Sequence, residues 1–438
     1  MTTTRPAAAR TPYAVDPQIV GLIGEQADRI RAVSGDRIGD MVQEALLRTL
    51  TDTITVGADG SAFVITGDIP AMWMRDSTTQ LTPYLRLLGR SEPLADLVAS
   101  VVRRQFTCLG HDTYANAFND GPTDGHHEPR DLCKDPHVWE QKYEIDSLAY
   151  PIVLAHALWR ATGRTDVFDE GSHDVLRRVV AQLRLEQRHE NSSYRFVRPS
   201  PLPTESLVRD GLGSPVGFTG MTWSGFRPSD DACTFHYNVP GNLLAAQALR
   251  ALAEISAEVH ADQALADTAL SLSAELVAGV AEHGIVEGPD GARIYAYEVD
   301  GLGGQLLMDD ANTPSLLALP LFAPDVLDPA VYEATRRFVL SPANPFFFSG
   351  PVAEGVGSPH TLPEYIWPIG LAVQALTGPA EDRPRLLELI AATDGGTGRI
   401  HESFHTADPT LFSRPWFSWA DSMFCELALQ VADDADAA

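Results

Sequence analysis

A chain of 438 residues with 44% hydrophobic and 21% charged residues has the composition of a folded globular protein and excludes an intrinsically disordered one. Its formal net charge of −27 opposes binding to nucleic acid or to an anionic membrane surface, because both need clustered Lys and Arg. A neutral ligand such as a sugar remains compatible. The cysteines Cys108, Cys133, Cys233 and Cys425 form no CxxC pair, which predicts reduced thiols and no disulfide framework.

The amino-terminal residues 1–13 are predicted to be a disordered tail, followed by one domain over residues 14–438. No Pro/Gly/Ser-rich linker divides that region, and the Asp/Ala-rich end after Val431 is expected to be disordered as well. The first residues lack the apolar stretch of a secretory signal, and no run of about 18 apolar residues occurs along the chain. We therefore expect a cytoplasmic protein without a membrane partner.

Six segments begin with polar and aromatic residues and continue into an apolar stretch. Helices that are apolar on nearly all sides belong in an interior, and Ser, Asp or Pro at several of these openings suits a helix start. In chain order the six openings are WMRDS (73–77), YEIDS (143–147), RPSDD (227–231), MDDANTPS (308–315), PEYIWP (363–368) and SWADS (418–422).

Six other segments place their apolar residues on one stripe, which is typical of helices that pack on the outside of a core. They are residues 38–50, 92–107, 172–186, 262–280, 328–340 and 382–393. Alternation of six outer with six inner helices predicts an all-α (α/α)6 toroid whose six openings lie at one end. Residues 53–70 alternate and carry Asp-Gly, which predicts a small β-hairpin at the rim. Residues 193–198 and 292–299 are further candidate short strands.

The openings concentrate side chains typical of a sugar site. Carboxylates and amides hydrogen-bond to vicinal hydroxyls, and aromatic rings stack on the C–H faces of a sugar. A Trp can instead be a core residue, and Arg75–Asp76 can be a structural salt bridge. The candidate substrate-binding residues at the openings are Trp73, Arg75, Asp76, Glu144, Asp146, Arg227, Asp309, Asp310, Asn312, His360, Trp367, Arg414, Trp416 and Trp419.

Hydrolysis of a glycosidic bond needs one acid and one base or nucleophile, both usually carboxyl groups. The acid must hold its proton at neutral pH, so it needs an apolar site or a like-charged neighbour. The pairs Asp230–Asp231 and Asp309–Asp310 both provide such a neighbour. Glu402, in GRIHESFH, is either the second carboxyl group or a surface helix-cap residue, so residue chemistry alone leaves the pair unassigned.

A metal site is the competing interpretation of one loop. His126 and His127 lie in NDGPTDGHHEPRDL (119–132), but adjacent histidines lack the i, i+4 spacing of a helical zinc motif, and no HExxH occurs. The Gly, Pro and Asp content favours a solvated lid. We therefore expect no metal and no cofactor.

Long stretches of the chain, in order, resemble glycoside hydrolase family 125, the exo-α-1,6-mannosidases of bacteria and fungi. These stretches are TGDIPAMWMRDSTTQLTPYL (66–85), YANAFN (114–119), KYEIDSLAYPI (142–152), MTWSGFRPSDDAC (221–233), MDDANTPSLLALP (308–320), GSPHT (357–361), YIWPI (365–369), HESF (401–404) and SRPWFSWADSMFCEL (413–427). The chain departs from the family pattern at Met74, His236 and Gly241, which puts individual subsite contacts in doubt.

The resemblance implies an (α/α)6 fold, a metal-independent inverting reaction and an oligosaccharide substrate with a terminal α-1,6-linked mannose. It implies that Glu402 is the general base and that Asp231 or Asp230 is the general acid, with Asp231 slightly favoured. Asn116 and Asn119 of YANAFN join the substrate-binding candidates. The alternatives are a glucoamylase-like or phosphorolytic enzyme on the same toroid, and a non-catalytic sugar-binding protein.

Overall fold

The computed structural model describes residues 10–123 and 125–437. Its α-helices are α1 (Pro17–Ser34), α2 (Asp36–Asp52), α3 (Met74–Thr79), α4 (Thr82–Leu85), α5 (Glu92–His111), α6 (Ile145–Thr162), α7 (Glu170–Leu185), α8 (Val208–Gly211), α9 (Val239–Glu258), α10 (Gln263–Gly279), α11 (Leu319–Phe322), α12 (Pro329–Val339), α13 (Pro368–Leu376), α14 (Arg383–Ala392) and α15 (Ser418–Ala437).

The strands are short and pair in antiparallel fashion in six small sheets. They are β1 (Thr11–Pro12), β2 (Ile54–Val56), β3 (Ala62–Val64), β4 (Met72–Trp73), β5 (Ala117–Phe118), β6 (Val138–Glu140), β7 (Tyr237–Asn238), β8 (Ile285–Glu287), β9 (Arg293–Tyr295), β10 (Glu298–Val299), β11 (Gln305–Leu306), β12 (Phe347–Ser349), β13 (Glu354–Val356), β14 (Tyr365–Ile366), β15 (Ser403–His405) and β16 (Asp408–Ser413).

Inner and outer helices alternate along the chain as the sequence predicted. The outer helices α2, α5, α7, α10, α12 and α14 coincide with the six one-sided segments. The inner layer consists of α3 with α4, then α6, α9, α11, α13 and α15. The fourth inner position differs from the expectation of a full helix, because α11 has only four residues.

Most outer helices begin at a side chain that accepts a hydrogen bond from the first helical turn. Ser91 caps α5, Asp169 caps α7, Asp262 caps α10 and Asp328 caps α12. Such a cap is worth about 1 kcal/mol because it satisfies an amide that has no partner within the helix. These residues fix the outer ring against which the inner helices pack.

Short strands lead directly into three inner helices. β4 ends where α3 begins, β7 runs into α9, and β14 precedes α13 by one residue. Trp73 and Trp367 therefore occupy the capping positions of α3 and α13 with extended backbone. This arrangement brings both side chains to the end of the toroid where the inner helices start.

The ring closes between the first hairpin and the last inner helix. The Ser418 amide donates to the Thr66 carbonyl at 3.0 Å, and Gly67 forms an antiparallel bridge with Phe417. Gly67 has a φ of 130°, and a Cβ there would lie 2.7 Å from the Trp416 carbonyl oxygen. Only glycine fits this close approach, so the segment around Gly67 is pinned to the start of α15.

The predicted tail and carboxyl end both differ from the expectation of disorder. Residues 1–9 lie outside the described residues, but Thr11 and Pro12 pair with β2 and Arg10 donates to the Ser61 carbonyl. The Asp/Ala-rich end continues α15, because Asp433 pairs with arginines of two neighbouring segments. Charge complementarity thus orders segments that lack apolar periodicity.

Two of the three predicted β regions form strands. The hairpin over residues 53–70 contains β2 and β3, and residues 292–299 contain both β9 and β10. Residues 193–198 are extended without strand pairing. In the predicted lid loop, Asp124 lies outside the described residues, and β5 and β6 flank the remainder.

One described segment, Gln263–Gly284, is long and apolar enough to cross a membrane by composition alone, with a mean hydropathy of 1.4. It comprises α10 and the turn that follows. The segment packs along α9 as one of the six outer helices. Leu265, Ala269, Leu272 and Leu276 of this helix are buried.

Candidate active site

A recess at the inner-helix starts collects half of the predicted substrate-binding side chains, together with Asp230 and Glu402. It contains about 360 Å³ of space not occupied by protein atoms. The residues that line it are Thr66, Ile69, Trp73, Arg75, Asp76, Pro228, Ser229, Asp230, Asn312, His360, Trp367, Glu402, Arg414, Phe417 and Trp419. They include residues from five of the six openings, and the toroid brings together positions up to 353 residues apart.

Several buried polar atoms on the recess wall have no hydrogen-bond partner among the described residues. They are Trp73 Nε1, Arg75 Nε, Asp76 Oδ2, Ser229 Oγ and Trp419 Nε1. A buried polar group without a partner costs about 1–3 kcal/mol. A ligand rich in hydroxyl groups would supply the missing partners, and the recess is therefore suited to a sugar.

Arg75 organises the carboxylates on one side of the recess. Its Nη1 donates to Glu144 at 2.9 Å and to Asp146 at 3.2 Å, and its Nη2 donates to Asp230 at 3.2 Å. Its Nε lies 3.4 Å from Asp76 Oδ2 without hydrogen-bond geometry. The salt bridge considered for Arg75 and Asp76 is thus present as a close approach, while Arg75 donates its hydrogen bonds to three other carboxylates.

The carboxyl groups around Arg75 differ in the direction in which their pKa values are shifted. Burial, aided by the nearby Asp230, raises the pKa of Glu144 well above its ordinary value. For Asp230, burial acts in the same direction, but the Arg75 guanidinium, the hydrogen bond with Glu144 and the charges of Lys142 and His360 together outweigh it and lower the pKa. Burial also raises the pKa of Asp76 to about 6, against the opposing effect of Arg75. Neighbouring carboxyl groups cannot all ionise, so a proton is held next to Asp230.

The adjacent residues Asp230 and Asp231 have different environments. Asp230 has a φ of 66°, a left-handed conformation that is uncommon for a non-glycine residue, and its side chain is 24% exposed. The Asp231 side chain is 1% exposed and accepts a hydrogen bond at 3.0 Å from His360 Nδ1. Asp230 therefore faces the recess, while Asp231 supports His360.

His360 lies among three carboxyl groups. Burial lowers its pKa, but the hydrogen bond and charge of Asp231, together with Glu402 and Asp230, raise it to about 9. The ring is thus protonated at neutral pH. A positive charge at this position favours ionised carboxylates around it.

Glu402 lies just before β15 and lines the same recess. Its Oε2 accepts a hydrogen bond from Ser413 Oγ at 2.8 Å, and its Oε1 lies 3.6 Å from Arg414 Nη1. No hydrogen bond joins Glu402 to Asp230 or Asp231 in the described part of the chain, although Glu402 and Asp230 line the same recess. The alternative role of a surface helix-cap residue does not apply, because the Glu402 side chain is 7% exposed.

A larger space, which we call the second cavity, adjoins the recess. It contains about 1040 Å³ and shares His360 and Glu402 with the recess. Its lining residues are Leu202, Thr204, Glu205, Asp231, Pro359, His360, Thr361, Leu362, Tyr365, Glu402, Ser403, Phe412 and Ser413.

Three predicted site residues lie directly behind the recess. Glu144 and Asp146 contact Arg75 and do not line the recess. Asn116 donates to Glu144 at 3.1 Å and to Glu140 at 2.9 Å. These three residues position the side chains that form the wall of the recess.

Five further candidates lie outside the recess, and the protein engages most of their polar atoms; Asp310 Oδ2, in contrast, is buried without a hydrogen-bond partner among the described residues. Asn119 donates to two loop carbonyls, Arg227 pairs with Glu298, and Asp309 accepts two backbone amides at 2.8 and 2.9 Å. Asp310 accepts from the Asn312 side chain at 2.8 Å. Trp416 is half-buried and lies against Arg399.

Thr66, Ile69, Pro228, Ser229 and Phe417 line the recess but were absent from the predicted site. Ser229 belongs to the SDD motif, and Thr66 and Ile69 lie in the stretch TGDIP just before Trp73. Their proximity to the motifs was the available signal. No group of three or more His, Cys, Asp or Glu side chains within residues 10–123 and 125–437 has the arrangement of a metal site.

The sequence profile of the metal-independent α-mannosidase family, GH125, matches residues 36–429. A solved Streptococcus pneumoniae protein of a family of metal-independent α-mannosidases, in a non-productive complex with α-1,6-mannobiose, is 43% identical. It aligns over 96% of this chain and 99% of its own with a TM-score of 0.93. The Meiotically up-regulated gene 157 protein of Schizosaccharomyces pombe is 37% identical over 418 residues, which are 90% of this chain and 82% of that protein.

A more distant structure shares only the fold. A bacterial glucoamylase complexed with acarbose is 11% identical, with a TM-score of 0.57 over 90% of this chain and 55% of its own. The match to both structures confirms the predicted (α/α)6 toroid.

Proposed function

The chain belongs to the metal-independent α-mannosidase family, glycoside hydrolase family 125, and on that premise we propose that it removes terminal α-1,6-linked mannose from oligosaccharides with inversion at the anomeric carbon. The linkage is suggested by the α-1,6-mannobiose bound to the pneumococcal relative. Inversion is the stereochemistry that membership of the family suggests, and it requires room for a water molecule between the base and the anomeric carbon.

The observation that carries this proposal is the recess itself. Trp73, Arg75, Trp367 and Trp419 on its wall are all buried, and unpaired polar atoms point to a ligand with many hydroxyl groups. A space of this kind accepts the end of a chain and not its middle. The expected action is therefore on the terminal, non-reducing mannose.

Glu402 is the proposed general base. Its carboxylate takes a proton from a water molecule, whose oxygen forms a bond to the anomeric carbon as the bond to the leaving oxygen breaks. Ser413 and Arg414 hold the Glu402 carboxylate from the protein side. Two oxygens of Glu402 are thereby oriented while the carboxylate still faces the recess.

Asp230 is the proposed general acid, because its carboxyl group reaches the recess whereas Asp231 is bonded to His360. The acid must deliver a proton to the leaving oxygen. The raised pKa of Glu144 retains a proton beside Asp230, and the two carboxyl groups titrate as a pair. The Asp230–Glu144 pair is thus the proton source, with Asp230 as the member that touches the substrate.

Phosphorolysis fits the site less well. It would need a free basic group beside the scissile bond, such as Arg227 or Arg414. Arg227 is paired with Glu298, and Arg414 contacts both Asp68 and Glu402. Both guanidinium groups are engaged by carboxylates, which favours hydrolysis.

Digestion of α-1,2-, α-1,3- and α-1,6-linked mannobiose, followed by NMR of the product anomer, tests the proposal. We expect hydrolysis of the α-1,6 isomer with β-mannose as the first product, unaffected by a chelator. Release of α-mannose first would overturn inversion. Dependence on phosphate would support phosphorolysis, and activity lost in chelator and restored by Ca²⁺ would contradict metal independence.

A further inference from the structure

The proposed acid lies on a tight turn over residues 226–232, which we call the acid loop. Phe226 and Ala232 form an antiparallel bridge at its base, and Asp230 lies between them with a φ of 66°. This left-handed conformation is sparsely populated by residues other than glycine and persists where the surrounding structure holds it. The direction of the Asp230 carboxyl group therefore depends on the contacts that fix the loop.

Two separate segments of the chain hold the ends of the acid loop. The Tyr143 carbonyl accepts hydrogen bonds from the amides of Gly225 and Phe226, both at 3.0 Å. The Thr204 carbonyl accepts a hydrogen bond from the Ala232 amide at 2.8 Å. The acid loop keeps its position only if these two segments keep theirs.

A buried ion pair joins the two segments. Lys142 directly precedes Tyr143, Glu205 directly follows Thr204, and Lys142 Nζ donates to Glu205 Oε2 at 3.2 Å. The Lys142 side chain is 2% exposed, and its ammonium group lies 5.2 Å from the centre of the Phe226 ring. The same cation thus links both supports of the acid loop and contacts the first residue of the loop.

The groups around Lys142 keep it charged. Burial lowers its pKa, but the surrounding carboxylates outweigh burial and raise the pKa above the ordinary value. These carboxylates are Glu140, Asp230 and Glu205, and the nearby Arg198 opposes them. Arg198 also donates to both Glu140 and Glu205, so the charges of this network compensate one another.

We propose that Lys142 is a positioning residue of the reaction: paired with Glu205, it clamps the acid loop and keeps a positive charge near Asp230. The inference rests on the proposed function, because the role is defined relative to the proposed acid. Lys142 lines neither the recess nor the second cavity. It therefore acts through the acid loop and not by contact with the sugar.

The pH dependence of kcat/KM in Lys142→Met, with α-1,6-mannobiose as substrate, tests this inference. The acid must carry a proton, so its pKa sets the basic limb of the profile. Burial disfavours the ionised form of Asp230, whereas four groups favour it: Arg75, the hydrogen bond with Glu144, Lys142 and His360. Loss of the Lys142 charge should move the basic limb about one pH unit higher. The displaced loop should also lower kcat at the optimum by about 10- to 100-fold.

Two further variants separate the charge of Lys142 from its packing. Lys142→Arg keeps the positive charge, so the basic limb should stay close to that of the unaltered protein. Glu205→Gln removes a neighbouring negative charge and should move the basic limb lower. An unmoved basic limb in Lys142→Met, or shifts in the same direction in Lys142→Met and Glu205→Gln, would overturn the inference. If Lys142→Met does not fold, an unmoved basic limb in Glu205→Gln would overturn it.

Lys134→Met and Glu426→Gln are the matched controls. Lys134 is an exposed lysine, and Glu426 pairs with Arg86 beside α15; neither lines the recess or the second cavity. Both variants should leave the basic limb in place, even where Glu426→Gln lowers the unfolding temperature as much as Lys142→Met. A basic limb that also moves in Glu426→Gln would attribute the shift to lost stability and overturn the inference.

Amide hydrogen exchange distinguishes failure of the clamp from failure of the proposed function. The amides of Gly225, Phe226 and Ala232 should exchange faster in Lys142→Met than in the unaltered protein or in Glu426→Gln. Faster exchange in a protein that does not hydrolyse mannobiose would support the clamp while the proposed function fails. Unchanged exchange at these amides would overturn the clamp, whatever the activity.

Discussion

The recess and the second cavity share Glu402 and His360, yet they present opposite chemistry. In the recess, five buried polar atoms lack a partner among the described residues. In the second cavity, the serine hydroxyls and Glu402 bind one another, Asp231 Oδ2 is the buried oxygen without a partner among the described residues, and leucines are exposed. Selectivity for a sugar therefore depends on polar groups that the fold leaves unpaired. The number of polar residues around a cavity is a poor guide to that selectivity.

The largest expected effect follows from replacing the carboxyl groups of the recess. Glu402→Gln and Asp230→Asn should each lower kcat on α-1,6-mannobiose by about 10³-fold or more, because a general base or acid is lost. Both changes conserve shape. Steady-state kinetics and the unfolding temperature of each variant provide the measurement.

Asp231→Asn is the matched control for the acid. It should lower kcat far less, since Asp231 contacts His360 and faces away from the recess. If Asp231→Asn abolishes activity while Asp230→Asn retains it, Asp231 is the acid and the assignment is wrong. If Glu402→Gln is about as active as the unaltered protein, Glu402 is not the general base.

A smaller effect tests whether unpaired polar atoms bind the sugar. Trp419→Phe keeps an aromatic ring near Arg75 but removes the unpaired Nε1 donor. One lost hydrogen bond of about 1–1.5 kcal/mol predicts a kcat/KM about tenfold lower. Trp416→Phe, three residues away and outside the recess, should stay within about twofold. Equal losses in the two variants would show that the indole N–H is not a ligand contact.

The smallest effect concerns His360, which borders both cavities. Because its pKa is raised to about 9, the protonated ring stabilises the folded protein below the ordinary value of 6.5. That contribution is lost as pH rises through about 9. The side chain is 33% exposed, so after discounting for solvent screening we expect about 1–2 kcal/mol. The unfolding temperature should fall by a few degrees over this range.

The same pH series distinguishes His360 from the other histidines. Asp231→Asn should flatten the decrease above pH 6.5, because the main partner of the imidazolium loses its charge. His156→Gln, which removes a histidine paired with Glu254 on the outer surface, should leave the decrease unchanged. A decrease of equal size in Asp231→Asn would show that another group titrates.

Much of the fold could be predicted because the signal is periodic. Six one-sided segments and six apolar ones alternate, and the outer helices begin and end within a few residues of the predicted ranges. The sequence pattern at the fourth inner position did not indicate that α11 would be short. Residues 193–198 alternate like a strand but lack a pairing partner, and pairing is a tertiary property that a local pattern does not contain.

The site was predicted less completely, because the direction of a side chain and its hydrogen-bond partners depend on the tertiary structure. Asp230 and Asp231 are neighbours in sequence, and only the positive φ of Asp230 separates their environments. Asp309 resembled a sugar ligand, but its oxygens are taken by the amides of Leu316 and Leu317. Trp416 and Trp419 belong to one motif, yet only Trp419 lines the recess.

The closure of the ring at Gly67 and Phe417 has a consequence for biosynthesis. As the chain leaves the ribosome, Trp73 and Arg75 emerge early, but Glu402, Arg414 and Trp419 follow more than 300 residues later. Until then the wall of the recess is incomplete, and the buried polar atoms of its first half stay open to water. A nascent chain is therefore inactive until almost its full length has been translated, and truncation before Trp419 removes activity entirely.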